Sequence, residues 1–461
     1  MRDPLVTVYI TNFNYGRYIR QAVESVLRQT FTDFELIIID DGSTDGSQDI
    51  IRGYEGLEHV RIVLQQNKGL NVTSNLAVKL AVGKYVVRLD ADDYLDENAL
   101  LVLTNVLESD PELALVFPDY YYVDANSKIT GQERRLNFQT EVTLLDQPAH
   151  GACTMIRRDC LIEVNAYSNS YPCQDGYDLW LKIVSRYRVR NVNLPLFYYR
   201  RHGKNLTENQ ELILRTRSEI LDAHAERERK PKLSAVGVIP VLGPGVDAHC
   251  LSLTPLDGKP LLHWTIEAAL QAESLGEVIV SSPDPSLLDN VQSAFGSRVT
   301  PHQRGPEQAL ENVPYDAAVL EALTHRRMSA MPDAVALMTI EAPLREGFYV
   351  DKAVNVMRIF EVDVVLGVVP ETDLLFQHDG SGLRSVGANA VNGKMRFERD
   401  YVYRQCGGMS LIRREFYERN VSNVLSGRIG HIVLSRHAAT LVRTRTDLFV
   451  AGALLENGRA H

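Results

Sequence analysis

The sequence predicts an α/β protein made of two Rossmann-like units, and three observations carry that class. Short apolar runs rich in Val, Ile and Leu alternate with stretches of helical pattern from the first residues onward. Strands that are apolar throughout and separated by helices belong to mostly parallel sheets, because the crossover helices cover both faces. The alternation is interrupted once, by a charge-dense stretch ending AERERKPK, and then restarts. At 461 residues the chain also exceeds the roughly 250–300 at which one core stops growing.

Taken in order, the first unit opens with strand Val6–Thr11, helix Tyr18–Arg28, strand Phe34–Asp40, helix Gly46–Tyr54, strand Val60–Gln65, helix Leu70–Ala81 and strand Tyr85–Asp90. Ligands of such sheets bind at the carboxyl ends of the strands. The acids fall there: Asp40 and Asp41 close one strand, and Asp90, Asp92 and Asp93 close another. After Tyr198–His202, the stretch Glu208–Lys230 is helical and densely charged, and its Lys-Pro-Lys end reads as a break. The expected division is a domain over 1–205, a charged helical linker over 206–232, and a second domain over 233–461 whose first strand is Ala235–Pro240.

The formal charge of −10 argues against a nucleic-acid partner, which needs a basic face. Acidic clusters in a protein that handles phosphates point instead to a divalent cation as mediator. The five cysteines, Cys153, Cys160, Cys173, Cys250 and Cys406, are scattered and odd in number, with no CxxC pair. They read as reduced thiols of a cytoplasmic protein. No window approaches the ~18 apolar residues of a membrane helix, and the start lacks a signal-peptide pattern. The expectation is a soluble protein, at most peripheral at the inner face of a membrane.

Asp90-Ala91-Asp92 follows the apolar run YVVRL, and alternation along an extended chain puts both carboxylates on one side. Hard oxygen ligands suit Mg²⁺ or Mn²⁺, which bridges a diphosphate and neutralises charge on a departing nucleoside diphosphate. Asp40 and Asp41 offer acceptors for an imide N–H or a ribose hydroxyl. The run Asp40-Asp41-Gly42-Ser43 also reads as a turn with a helix cap.

The segments VTVYITNFNYGRYIRQAVESVLRQTFTDFELIIIDDGSTDGSQDII and NKGLNVTSNLAVKLAVGKYVVRLDADDYL resemble family 2 glycosyltransferases of the GT-A fold, and the resemblance extends over residues 5–205. It implies an inverting transferase that uses a nucleotide sugar, with UDP the habitual nucleotide. It further implies that Thr11, Asn12, Asn14, Tyr15 and Asp40, with Asp41, Asp90 and Ala91, line the donor nucleotide site. Asp92 becomes the direct metal ligand, and Asp90 contacts the ribose or the metal's water shell. Inversion needs a base beside the acceptor hydroxyl. The family takes it from an acidic pair before an apolar helix, here CQDGYDLWLKIV, which offers Asp175 and Asp178. Asp175 is the first choice, although counting back two residues from Asp178 lands on Gly176, so the choice between the two acids stays open. The segment YYRRHGKNLT resembles the family's closing motif, which makes His202 a neutral imidazole ligand near the metal and adds Arg200 and Arg201 as charge for the diphosphate.

Residues 235–456 resemble cytidylyltransferases that activate acidic sugars, through GVIPVLGPGVDAHCLSLTPLDGKPLLHWTIEAAL and PHQRGPEQALENVPYDAAVLEAL. Those enzymes hold a triphosphate with cations and backbone N–H groups in a glycine-rich loop. Here the cationic places carry Leu242, Gly245, Val246, Asp247 and Leu251, and the late acidic pair is replaced by a segment with Arg443 and Arg445. The expectation is a nucleotidyltransferase-like fold without the transfer activity, serving homo-oligomerisation. The resemblance as a whole implies a metal-dependent hexosyltransferase of surface polysaccharide or glycoconjugate synthesis, acting on a glycan or lipid-linked glycan. The alternatives are a bifunctional enzyme that also makes a CMP-sugar, distinguished by pyrophosphate release from CTP, and a non-catalytic assembly protein, distinguished by failure to hydrolyse donor with Mn²⁺.

Overall fold

The computed structural model of the protein describes residues 3–133, 151–171, 173–202, 209–309, 316–371, 373, 375–378, 380–386, 402–421 and 423–459. The chain forms two compact units, one of residues 1–209 with 372–400 and the other of 210–371 with 401–461.

The first unit contains β1 (Val6–Asn12), α1 (Ile19–Leu27), β2 (Phe34–Asp40), α2 (Ser47–Arg52), β3 (Val60–Leu64), α3 (Leu70–Leu80), β4 (Tyr85–Asp90), β5 (Tyr94–Leu95), α4 (Ala99–Ser109), β6 (Leu113–Val123), β7 (Ile129–Glu133), β8 (Met155–Arg157), α5 (Arg158–Glu163), α6 (Asp175–Val184) and β9 (Arg188–Arg200). The seven elements expected up to Asp90 are all present, shifted at their ends by two residues or fewer. Their strands run β3-β2-β1-β4 as a parallel sheet, which continues through β8, β6, β9 and β5, with β7 beside β6. Strand β8 lies antiparallel to both β4 and β6, whereas β6 and β9 are parallel. One face buries Val6, Val8 and Ile10 with Ile19, Val23 and Val26 of α1 and Leu100, Leu103 and Leu107 of α4. The other buries Tyr9, Ile37 and Ile39 with Ala77 of α3, Leu161 of α5 and Trp180 of α6. These strands read as unbroken apolar runs because both faces are covered.

The second unit begins with α7 (Gln210–Arg227), followed by β10 (Ala235–Pro240), β11 (Pro255–Leu256), β12 (Lys259–Pro260), α8 (Leu261–Gln271), β13 (Leu275–Ser282), α9 (Pro285–Phe295), β14 (Thr300–Gln303), α10 (Asp316–Thr324), β15 (Ala334–Met338), α11 (Phe348–Phe360) and β16 (Val364–Glu371). A hairpin of β17 (Phe376–His378) and β18 (Leu383–Ser385) groups with the first unit. The second unit resumes with β19 (Val402–Arg413), α12 (Arg414–Arg419), β20 (Ile429–Val433) and α13 (Arg445–Arg459). Its sheet runs β14-β13-β10-β15-β19-β16-β20, parallel around β10 and antiparallel where β19 sits between β15 and β16.

The charged stretch expected as a linker over 206–232 is mostly helix α7, and α7 packs on α11. Its Leu214, Ile220, Leu221 and Ala225 are buried. The Arg358 guanidinium of α11, 5% exposed in its side chain, pairs with Glu226 at 3.0 Å. The charges that suggested a solvated connector are the outer side of this packed helix. No helix among the described residues is long and apolar enough to cross a membrane.

Trp180 is 2% exposed and meets the Phe117 ring edge-on at 5.4 Å, which fastens α6 to the sheet. Trp180→Ala is expected to cost about 3–5 kcal/mol, since the site loses its largest apolar side chain and leaves a cavity. Urea unfolding checks this as a fall in midpoint at unchanged slope.

Candidate active site

The parallel register brings the carboxyl ends of three strands level, with Asn12 opposite Asp40 and Thr11 opposite Asp90. Asp40 is fully buried, and its carboxylate accepts from Asn12 Nδ2 at 2.7 Å, from the Ser43 N–H at 2.9 Å and from Gln48 Nε2 at 2.9 Å. Asp41 accepts from Gln65 Nε2 at 2.7 Å, the Lys68 N–H at 2.9 Å and the Gly69 N–H at 2.8 Å, so it ties down the chain entering α3. In this geometry both acids hold the donor-side loops in place through internal hydrogen bonds. The turn suggested by Asp40-Asp41-Gly42-Ser43 is the same arrangement seen from the backbone. Asn14 takes a left-handed conformation at φ 60° and accepts from the Thr44 N–H at 2.8 Å. Thr11 and Asn12 are buried, and Asn12 Oδ1 has no hydrogen-bond partner among the described residues.

The acidic loop after β4 is positioned from the far edge of the sheet. Strand β5, directly after Asp93, pairs with β9 through Tyr94 opposite Tyr198 and Leu95 opposite Phe197. That ladder sets the end of β9 against the loop. Asp92 Oδ2 lies 3.0 Å from His202 Nε2, and the Arg200 N–H donates to Asp93 Oδ1 at 2.8 Å. The His202 ring stacks on Tyr18 with centroids 5.5 Å apart and meets Tyr15 edge-on at 5.7 Å. Asp92 and His202 are thus brought together across 110 residues of sequence.

Arg200, expected as charge for a diphosphate, has another place. It is 1% exposed and donates from Nε to the Asp92 carbonyl at 2.7 Å and from Nη2 to Gln21 Oε1 at 2.7 Å. It also donates from Nη1 to the Asp124 carbonyl and Ser127 Oγ, both at 3.0 Å. Its role is to bolt the acidic loop to α1 and to the turn after β6. Arg201 is exposed and lies over the Tyr122 ring at 3.7 Å.

Asp90, Asp92 and Asp93 share one small volume, with Ala91 buried between the first two. Burial, then the nearby Asp92 and Asp90 charges, push the Asp93 carboxyl well above the usual range. Burial and the Asp90 charge raise that of Asp92 as well, and its hydrogen bond to His202 opposes the rise. Burial raises the Tyr15 phenol, reinforced by Asp92, Asp90 and Asp93. Asp93 Oδ2 is buried with no hydrogen-bond partner among the described residues. Carboxylates crowded in this way favour added positive charge, and the donor set fits a hard divalent ion. No group of three ligating side chains is preassembled among the described residues. Asp92 and His202 offer two ligands, as suits an ion that takes its remaining ligands from water and substrate phosphate.

The two acids expected to offer the base both lie in the first turn of α6. Asp175 is the first residue of α6, and Gln174 before it takes a left-handed φ of 61°. Asp178, one turn on, is 1% exposed and pairs with Lys182 at 2.6 Å. One contributor escaped the sequence reading of the site. Arg88 pairs with Asp90 from the middle of an apolar strand, and Asp93 completes the acidic group. Arg88 had a visible signal, because residues two apart on a strand share a face.

In the second unit the loop after β10 closes around an internal carboxylate. Asp284 Oδ2 accepts from the Gly245 N–H at 2.9 Å, while Oδ1 caps α9 through the Ser286 N–H at 3.0 Å. Burial would raise the Asp284 carboxyl, but the hydrogen bonds from Ser286, Gly245 and Leu287 outweigh it and hold the group below its ordinary value. A Cβ at Gly243 would overlap Asp284 Oδ2, so glycine is needed there to admit the carboxylate.

Comparison with known proteins agrees with both halves. Residues 7–164 match the family model for glycosyl transferase family 2, and residues 252–313 match that for cytidylyltransferases. A chondroitin synthase of Escherichia coli is 30% identical over 205 residues, which is 44% of this chain and 30% of that protein. The UDP-Glc:alpha-D-GlcNAc-diphosphoundecaprenol beta-1,3-glucosyltransferase WfaP of Escherichia coli is 31% identical over 223 residues, covering 47% of this chain and 85% of the relative. The chain therefore spans under a third of the synthase and most of WfaP. Among solved structures, S. aureus TarS 1-349 in complex with UDP-GlcNAc superposes with TM-score 0.40 at 18% identity, over 48% of this chain and 65% of the other. The parallel sheet, the acidic loop at its carboxyl edge and the 31% identity across most of WfaP lead to one conclusion: this chain belongs to glycosyl transferase family 2, its N-terminal unit having the GT-A fold.

Proposed function

We propose that the first unit transfers a sugar, with inversion, from a nucleotide-sugar donor to a glycan or lipid-linked glycan in the synthesis of a surface polysaccharide or glycoconjugate. The observation that carries the reading is the meeting of Asp92 with His202 beside Asp90 and Asp93 at the carboxyl edge of the sheet. UDP is the proposed nucleotide and an undecaprenyl-diphosphate-linked sugar a proposed acceptor, by likeness to WfaP, whose name states both. A protein working on such an acceptor does so at the inner membrane face, which fits a peripheral location.

In this reading Mn²⁺ or Mg²⁺, when bound, neutralises charge on the departing diphosphate. The protein's own residues do the rest. Asp92 and His202 hold the ion's place, Asp90 and Ala91 line the ribose side, and Thr11, Asn12, Asn14 and Tyr15 line the base side. Asp40 and Asp41 shape that pocket through the loops they hold. Asp175 takes the proton of the acceptor hydroxyl as the donor's anomeric carbon is attacked. The Asp178–Lys182 pair supports this choice, since a buried carboxylate bound to a lysine is a poor base and a good anchor for α6. The second unit is proposed to hold two copies of the chain together; Phe449 of α13, 79% exposed, offers apolar surface for that.

Three measurements test the reading. Asp92→Asn is expected to abolish Mn²⁺-dependent donor turnover while circular dichroism stays native, because the leaving-group stabilisation is lost; unchanged turnover would remove the metal from the mechanism. With donor saturating, Asp175→Asn should lose transfer at near-native UDP affinity. Asp178→Asn should instead lose about 3–5 kcal/mol of stability by stranding Lys182, with transfer per folded molecule retained; the reverse pattern reassigns the base. Finally, the intact protein should release no pyrophosphate from CTP and an acidic sugar, because Asp284 already occupies the glycine loop and no cation replaces Leu242, Val246 or Asp247.

A further inference from the structure

Arg88 lies on β4 two residues before Asp90, and its side chain is 7% exposed. Its Nε pairs with Asp90 Oδ1 at 2.7 Å, and its main-chain carbonyl accepts from the Cys153 N–H at 2.8 Å. The Asp90 side chain is 25% exposed, so the pair is closed on the cation's side and open on the carboxylate's. Behind the guanidinium stands Gly151, where a Cβ would come within 3.5 Å of Nη1. Gly151 in turn faces Gly176, the second residue of α6, whose Cβ would lie 3.6 Å from the Gly151 Cα. The guanidinium is therefore seated between the donor-side acids and the start of the helix that opens with Asp175. It carries a permanent charge, since arginine does not deprotonate in proteins. Arg200, also buried beside the loop, is engaged with the Asp92 carbonyl and Gln21.

We propose that Arg88 is a positioning residue that divides the work of the acidic loop: by pairing with Asp90 it keeps that carboxylate for the nucleoside of the donor and leaves Asp92 with His202 as the protein's ligands for the divalent ion. This rests on the metal-dependent transferase reading above. Three acids in one small volume, none of them paired, would draw an ion to the group as a whole, with no preference among its oxygens. A fixed cation on one of them breaks that equivalence. The same cation repels a divalent ion, so its presence lowers metal affinity while it orders Asp90. Loss of Arg88 therefore has opposite effects on the two ligands, which a merely structural role does not produce, because general loosening of the loop weakens both.

The test uses the full-length protein and two direct binding measurements: Mn²⁺ by electron paramagnetic resonance without nucleotide, and UDP by calorimetry in EDTA. For Arg88→Met the expected result is Mn²⁺ bound several-fold tighter and UDP bound about tenfold weaker, as fits removal of one charge at short range. Arg88→Met that weakens both ligands, or leaves both unchanged, overturns the assignment. Arg88→Lys keeps the charge without the guanidinium's fork, and serves also where Arg88→Met does not fold. Near-native Mn²⁺ affinity with weakened UDP binding in that variant supports the proposal, and equal loss of both overturns it. Wild-type protein that binds UDP but no Mn²⁺ defeats the metal-dependent reading itself and this assignment with it, an outcome recognisable before any variant is made.

Discussion

Tyr94 and Leu95 pair with Tyr198 and Phe197, and on this two-residue ladder the candidate site depends. Without it the acidic loop ends at β4 as an exposed run of carboxylates. With it, the end of β9 is drawn over the loop, so that the Arg200 N–H meets Asp93 and His202 meets Asp92. Arg200 then secures the arrangement from below through Asp92, Gln21, Asp124 and Ser127. A buried guanidinium with this many fixed acceptors holds four segments in one register, which a lysine ammonium has no geometry to match.

The electrostatics of the loop follow from the same packing. Asp92 and Asp93 are withdrawn from water beside the half-buried Asp90, and burial together with mutual repulsion raises both. Such a group is stable as a set of anions only with a cation beside it. Arg88 supplies one charge on one acid. The remaining deficit is the electrostatic basis on which a divalent ion is proposed for the loop.

The glycine loop of the second unit is organised around a carboxylate of its own chain. Its glycine loop is retained, but the close approach that glycine permits is used by Asp284, which also caps α9. This carboxylate engages the Gly245 N–H, which is the observation behind the proposal that the unit does not turn over CTP. The loop thus contributes order to the end of β10 and the start of α9.

The strands and helices up to Asp90 were legible in the sequence because hydrophobic period and turn chemistry are local, and the acids at strand ends followed from the rule that such sheets bind ligands there. The resemblance of ordered motifs was enough to name the family. Pairings across long sequence separations were beyond reach of a pattern. Nothing local shows that Arg200 turns inward to Gln21 and the Asp92 carbonyl, or that Asp41 is engaged by the Lys68 and Gly69 N–H groups. Charge density alone made Glu208–Lys230 look solvated, and only the packing of α7 on α11 decided otherwise. The sequence by itself determined which elements form and which acids lie at the sheet's edge, since both depend on neighbours in the chain. Tertiary structure alone decided the long-range partners, Asp92 with His202 and Arg200 with Gln21, because these are set by the distance between segments that the chain order leaves far apart.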